Sequence, residues 1–460
     1  MVKDMTTGSP ARLILSFSLP LLIGNIFQQL YNMADAVVVG RFIGTGALAA
    51  VGSTGAISFL VLGFVIGLTG GFSVVMAQRF GAEDRDGLRQ SVAMSFYIGG
   101  SMTVLLTAVS VLLTHPLLRF MDTPSDIYQD AYTYIVIIFA GTGATVFYNL
   151  VSGILRALGD SKTPLYFLIL SSLINVGLDL LFIITFRMGV AGASYATVIA
   201  QVVSGLLCLV YMLRRYPILR FCRDDWRFRK EWSLLHLKIG LPMAFQFSIT
   251  AIGVMVLQKA INAFGSTTIA AYTAASKVEM LATQPLQTLG ITMATYCGQN
   301  LGAGKINRIR RGVVRSLQIC AVCCAVCGLL VVLGGRFFVG LFLEGNQPAV
   351  VDQAQQYLNT IALFFIMLGI LFIFRNALQG MGSTMVPMLA GAMELIMRVL
   401  VAFLLPPLIG YTAICIASPV AWIGAVIPLT ICYLLLMRRL RARYPENAPR
   451  SNPLASRQAD

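Results

Sequence analysis

Apolar residues fall into twelve blocks, each long enough for a helix of about 20 residues to cross a bilayer. In the first half of the chain they cover 13–40, 48–78, 92–113, 130–157, 164–186 and 190–213. In the second half they cover 235–263, 268–299, 313–333, 353–379, 387–407 and 413–437. They are spans 1 to 12 below. Helix is the expected conformation, because backbone in hydrocarbon must satisfy its own hydrogen bonds. Span 1 follows Lys3 and Arg12, as a signal peptide would. It is too long for one, has no small-residue cleavage site and carries Gln28, Asn32 and Asp35, so it reads as a retained helix.

The two halves repeat. "FSLPLLIGNIFQQLYNMADAVVVGRFIGTGALAAVG" has its counterpart in "IGLPMAFQFSITAIGVMVLQKAINAFGSTTIAAYT", aligning Pro20 with Pro242. "AQRFGAEDRDGLRQSV" matches "GQNLGAGKINRIRRGV", and "GDSKTPL" matches "GSTMVPM", all at an offset of 221 to 223 residues. Six spans per repeat make the repeats parallel. The expected fold is therefore all-α and integral to the membrane, with twelve transmembrane helices in two pseudo-symmetric six-helix lobes. The expected division is an N-terminal lobe 1–213, a linker 214–234 that lies on the membrane surface, a C-terminal lobe 235–440, and a disordered tail 441–460.

Composition sharpens this. Charged residues make up 12% of the chain, half the share of a soluble domain, which excludes a soluble enzyme. The net charge of +15 invites a nucleic-acid reading, but its distribution answers that. With the N-terminus inside, 26 of the 34 basic residues fall on the inner side and only Arg41, Arg119, Arg187 and Arg336 on the outer. That is the positive-inside pattern, with both termini cytoplasmic, and no nucleic-acid partner is needed. Cys320, Cys323, Cys324 and Cys327 sit in an apolar run without histidine and read as packing residues. "GTGALA" (44–49) and "GAGK" (302–305) resemble nucleotide loops but lack the preceding strand and the full spacing, so no ATP site follows.

Of 19 acids, only Asp35, Asp179, Glu279 and Glu394 lie inside spans away from their ends. A charge at the bilayer centre costs roughly 2.5–3.5 kcal/mol on insertion scales, so each needs a partner or a task. Gln28 precedes Asp35 by two turns, Asn175 precedes Asp179 by one, and Thr197 in span 6 lies at similar depth. No lysine or arginine within that lobe's spans is placed to neutralise the two acids. Oxygen ligands with net negative charge suit a small hard cation, and a proton is the other way to neutralise them. A hydrogen-bonded structural pair is the bland alternative. Glu394 and Arg398, four apart, can pair with each other, as a structural ion pair or in a gating or substrate role. Glu279 has Lys277 on another face, and either meets a neighbouring helix or lines a cavity. Glu279, Glu394 and Arg398 are the substrate-cavity candidates that charge suggests.

"LPLLIGNIFQQLYNMADAVVVGRFIG", "GDSKTPLYFLILSSLINVGLDLLFI", "GQNLGAGK" and the repeat offset together resemble the multidrug and toxic compound extrusion (MATE) family over residues 10–440. The resemblance implies two V-shaped lobes in the cell membrane, in contact with membrane lipids. It implies a monomer without a resident cofactor that exports small organic cations or drugs against Na+ or H+. The chain looks most like the branch whose cation site is in the N-terminal lobe, which maps onto Gln28, Asp35, Asn175, Asp179 and Thr197. Tyr134 and Asn149 match polar positions near the substrate chamber, and Pro20 matches the proline at which helix 1 bends. The other branch uses acids on helices 7 and 10. Here span 7 has Gln246 and Gln258 but no acid, and span 10 has only Asp352 at its end. A lipid-linked oligosaccharide flippase of the wider superfamily is the alternative function; a cationic cavity would favour it, and the acids of the first lobe weigh against it.

Overall fold

The computed structural model describes residues 4–342 and 347–443. The first half holds α1 (Pro10–Phe42), α2 (Thr45–Ser53), α3 (Gly55–Gly81), α4 (Arg85–Phe120), α5 (Tyr128–Ala140), α6 (Thr142–Ala157), α7 (Lys162–Leu180) and α8 (Val190–Arg215). The second holds α9 (Lys230–Asn262), α10 (Ser266–Gly302), α11 (Ile306–Gly340), α12 (Pro348–Ala362), α13 (Phe365–Gly380), α14 (Met385–Leu404), α15 (Pro406–Ile409) and α16 (Thr412–Arg443). No strand occurs among the described residues. Among the described residues, nine helices are long and apolar enough to cross a membrane, and the pairs α5–α6 and α12–α13, bent by 46° and 52°, raise this to eleven.

The twelfth is α10, whose 37 residues are long enough but too polar for the same hydropathy test. Three of its threonines are satisfied by its own backbone: Thr283 donates to the Glu279 carbonyl at 2.9 Å, Thr288 to Gln284 at 2.8 Å and Thr292 to Thr288 at 2.9 Å. Such back-bonding lets hydroxyls sit in a buried helix. α10 is covered by α11, α12 and α13 and needs little apolar surface of its own.

The helices overrun the expected spans at many ends. Span 3, expected over 92–113, is α4 over Arg85–Phe120, and span 9, expected over 313–333, is α11 over Ile306–Gly340. Hydropathy marks only the hydrocarbon-crossing part, whereas capping decides where a helix stops. Asp84 caps α4 by accepting the Gly87 N–H at 2.9 Å. Asp160 caps α7, accepting from Lys162 N and Thr163 N at 3.0 Å each. The repeated glycine of "GDSKTPL" and "GSTMVPM" has a positive φ in both copies, +83° at Gly159 and +81° at Gly382, where a Cβ would be strained. The expected tail also begins too early: residues 441–443 belong to α16, and 444–460 lie outside the described residues.

Contacts divide the chain into two units. One comprises Leu19–Ser248 with Asp4, the other Met5–Ser18 with the chain from Ile249 on. The packing order repeats between them: α3 on α6, α4 on α5 and α7 on α8 in the first correspond to α10 on α13, α11 on α12 and α14 on α16 in the second. Small residues make the closest crossings possible. A Cβ built on Gly71 would lie 2.4 Å from the Gly240 Cα in the first unit, and one on Gly380 2.3 Å from the Ala294 carbonyl in the second.

Each unit also holds a lead-in segment against its helices. In the first, the stretch before α9 and the first turn of α9 are fastened to α3 and α4. Arg89 pairs with Asp225 at 2.9 Å, Tyr97 donates to the Trp226 carbonyl at 3.0 Å, and the Arg79 guanidinium lies 4.4 Å from the centre of the Trp232 ring. In the second, Met5–Thr7 docks on the α10–α11 turn. Met5 N donates to Gln299 Oε1 at 2.9 Å, Lys305 Nζ to the Thr6 carbonyl at 2.8 Å, and Arg308 Nη2 to the Thr7 carbonyl at 2.9 Å.

Candidate cation site

The acids of the first unit are drawn in by their helices. Asp35 is on α1, Asn175 and Asp179 are one turn apart on α7, and Thr197 is on α8, which packs on α7. Asp35 is 8% exposed, and Asn175 and Asp179 are fully buried. The two carboxylates are close enough to interact directly, and Tyr31 and Tyr134 lie within electrostatic range of both. Thr197 Oγ1 lies 3.4 Å from the Tyr31 hydroxyl and 3.5 Å from Asn175 Nδ2, which donates to it.

Local backbone shapes this group. Directly after Asp179, α7 widens into a π-helical turn over Leu181–Thr185, an irregularity that favours functional positions. Gly192 of α8 makes room for it: a Cβ there would lie 3.0 Å from the Phe182 Cβ. The break between α5 and α6 falls at Gly141, where a Cβ would come within 2.3 Å of Val198, the neighbour of Thr197. A larger residue at Gly141 would force the α5–α6 break and α8 apart.

Among the described residues, Asp35 Oδ1, Asn175 Oδ1 and both carboxylate oxygens of Asp179 are buried without a hydrogen-bond donor. An orphaned buried acceptor costs about 1–3 kcal/mol, more when charged. No ion pair reaches Asp35 or Asp179 among the described residues. Two interacting acids and an amide oxygen left without donors have the chemistry to accept a proton or an oxygen-ligated metal ion.

Not every expected residue joins the group. Gln28 is exposed, because the middle of α1 is thinly covered; Ile26, Phe27 and Leu30 beside it are exposed as well. Asn149, half-buried on α6, spends its amide on its own helix, donating to the Thr145 carbonyl at 2.9 Å. Pro20 is buried within α1, which stays helical on both sides. Tyr31 was not expected. Its signal is position, one turn before Asp35, but a tyrosine in an apolar run reads as packing.

The acids of the second unit are compensated. Glu394 accepts from Arg398 at 2.9 Å, as the spacing suggests, and also from Arg375 of α13 at 2.8 Å. All three are 6% exposed. Gly253 admits the Arg398 guanidinium, which would lie 2.7 Å from a Cβ there. Glu279 accepts from the Tyr357 hydroxyl at 2.8 Å and lies within the field of Arg398. Two arginines thus face two acids in this unit.

A family model described as MatE matches residues 20–181 and 242–404, one stretch in each repeat. A probable multidrug resistance protein, YpnP of Bacillus subtilis (strain 168), is 31% identical over 391 residues, 83% of this chain and 84% of that protein. A second from the same strain, YoeA, is 28% identical over 73% of this chain and 74% of its own length. The fold matches an outward-facing conformation of a multidrug resistance MATE family transporter with a TM-score of 0.88, at 24% identity over 96% of this chain and 98% of that one. The twelve-helix, two-lobe architecture expected from the repeat agrees with that fold.

Proposed function

Because the chain belongs to the MATE family of multi-pass membrane transporters, we propose that it exports small cationic and amphiphilic organic compounds by exchange for Na+ or H+. The site is that of the branch with its cation in the N-terminal lobe. The single observation that carries this reading is the buried, donor-free Asp35–Asp179 pair with Asn175 and Thr197 beside it. The multidrug resistance relatives support the cargo class.

The protein works as a monomer in the cell membrane with both termini in the cytoplasm, as the basic residues of the inner segments favour. Lobes 1–213 and 235–440 alternate in access. In the outward state Asp35 and Asp179 take the coupling cation, with Asn175 Oδ1 and Thr197 Oγ1 as neutral ligands. Neutralising the pair removes the negative field that Tyr31 and Tyr134 share with the cargo path. α1 then shifts at Pro20, which lacks the N–H that would hold the preceding turn, and a cationic cargo is released outward. The cation leaves inward, the field returns and new cargo binds. Each charge that crosses 100 mV contributes about 2.3 kcal/mol. Coupling requires only that the cation binds the two states with different affinity. Glu279, Glu394 and Arg398, with Arg375, stay together as the second lobe's closed charge network and keep the lobe's interior near neutral. The lipid-linked alternative is disfavoured, because a pyrophosphate cargo would meet two uncompensated carboxylates.

Flux in proteoliposomes tests the proposal. A Na+ gradient at fixed pH, or a pH gradient without Na+, should drive ethidium-like cations out through the wild type and not through Asp35→Asn. Undiminished gradient-driven flux through Asp35→Asn would remove the pair from the mechanism.

A further inference from the structure

The second unit has a cavity of about 670 Å³ where α1 and α11 begin. Its walls include Ser9 and Ala11 on one side and Asn307, Arg310, Arg311 and Arg315 on the other. Charge there is one-sided. Neither α1 nor α11 has an acid in its first turn, and no carboxylate pairs with any of the three arginines among the described residues. Arg315 donates only to the neutral Gln318 Oε1, at 2.8 Å. Helix N-termini carry partial positive charge, so cations in the opening turns of α11 are held against its dipole. Two helix starts and three guanidiniums around one cavity make a receptor for phosphate.

The same face of α11 identifies what bears the phosphate. Counting on from Arg311 in steps of three or four, it passes Arg315 and Gln318 and continues through Val322, Val326, Leu329 and Leu333. These last four are 65%, 52%, 60% and 76% exposed, an apolar ridge on a membrane-crossing helix. One turn above Ala11 on α1, Leu15 is likewise exposed. A soluble phosphate would use only the cavity, whereas a phospholipid uses both the cavity and the ridge. Basic pockets between helices at a membrane surface suit anionic headgroups, and the volume is within the range of ordinary ligand sites.

We propose that this cavity binds the headgroup of an anionic glycerophospholipid, its phosphate held by Arg310, Arg311 and Arg315 and its acyl chains laid along Val322, Val326, Leu329 and Leu333. Two-phosphate cardiolipin fits the three charges better than one-phosphate phosphatidylglycerol. The bound lipid bridges α11 to the start of α1 and steadies the docked Met5–Thr7 segment.

Native mass spectrometry of the full chain, titrated with cardiolipin, phosphatidylglycerol or phosphatidylcholine, tests this. Cardiolipin should bind tightest, and phosphatidylcholine at least tenfold more weakly than phosphatidylglycerol. Each of Arg310→Gln, Arg311→Gln and Arg315→Gln should weaken cardiolipin about fivefold, and the triple variant about 100-fold. Arg438→Gln with Arg439→Gln, which removes two exposed charges from the end of α16, should change it less than twofold. Equal binding of phosphatidylcholine by the wild type would overturn the proposal without recourse to any variant. So would an unaffected triple variant, an equal loss in the α16 control, or displacement of cardiolipin by millimolar inorganic phosphate.

Discussion

Replacing Asp179 by asparagine should make the protein more stable while abolishing exchange. In the cation-free state the two carboxylates are close enough to interact, and a pair of unit charges in contact repels by about 4 kcal/mol at an effective dielectric constant near 20. Asp179→Asn removes that repulsion. It also supplies an amide N–H₂ to a site whose acceptors, Asp35 Oδ1 among them, have no donor, worth about 1 kcal/mol. Local relaxation already relieves part of the repulsion, so a net gain of about 2–3 kcal/mol is expected. For a body of about 200 residues this is a rise in Tm of roughly 4–12 °C. The assay is thermal unfolding of purified wild type and variant in detergent, at low and saturating Na+ and across pH. The wild type should gain stability when Na+ or protons are supplied, and the variant should begin near that higher value and gain little. A variant less stable than the cation-free wild type would refute the reasoning, because an ordinary hydrogen-bonded pair loses stability when cut. Equal stabilisation of both proteins by the cation would refute it as well.

In the second unit, Glu394→Gln should cost about 3–5 kcal/mol, because Arg375 and Arg398 are left buried without their carboxylate; melting temperature and membrane yield report it, and Arg375→Met in the same chain should recover part of the loss. Gly71→Leu should fold poorly, since even a Cβ there meets Gly240 at 2.4 Å, whereas Gly100→Leu, with nothing within 4 Å, should melt within a degree or two of the wild type. Asp160→Ala removes the cap of α7 together with its bond from the Tyr216 hydroxyl at 2.6 Å; a loss of about 1–2 kcal/mol is expected in thermal unfolding, with the cation response of the Asp35–Asp179 pair retained.

Much of this architecture is legible in the chain because membrane helices declare themselves by length and hydropathy, and a duplicated unit declares itself by collinear motifs. α10 shows the limit of hydropathy, for its polar face is hidden by neighbours and not by lipid. The buried carboxylates are legible for a related reason: hydrocarbon makes charge expensive, so Asp35 and Asp179 stand out, and Asn175 follows from helical spacing. What spacing along one helix cannot give is rotation against the others. Gln28 shares a nominal face with Asp35 yet is exposed, and Arg375 reaches Glu394 from a different helix, so its pairing has no local signature. Tyr31 is hidden by its apolar company. The docking of Met5–Thr7 is likewise illegible, since a lone methionine among polar residues gives no sign of the Gln299, Lys305 and Arg308 that receive it.

The most direct measurement is the linkage between cation and cargo on one molecule. Affinity for a fluorescent organic cation, read by anisotropy, should fall when Na+ or protons are supplied, and the cargo must lower cation affinity by the same factor. A factor of about ten is expected for the wild type and none for Asp35→Asn or Asp179→Asn. Cargo affinity that ignores both cations in the wild type, or that responds equally in the variants, would contradict the account.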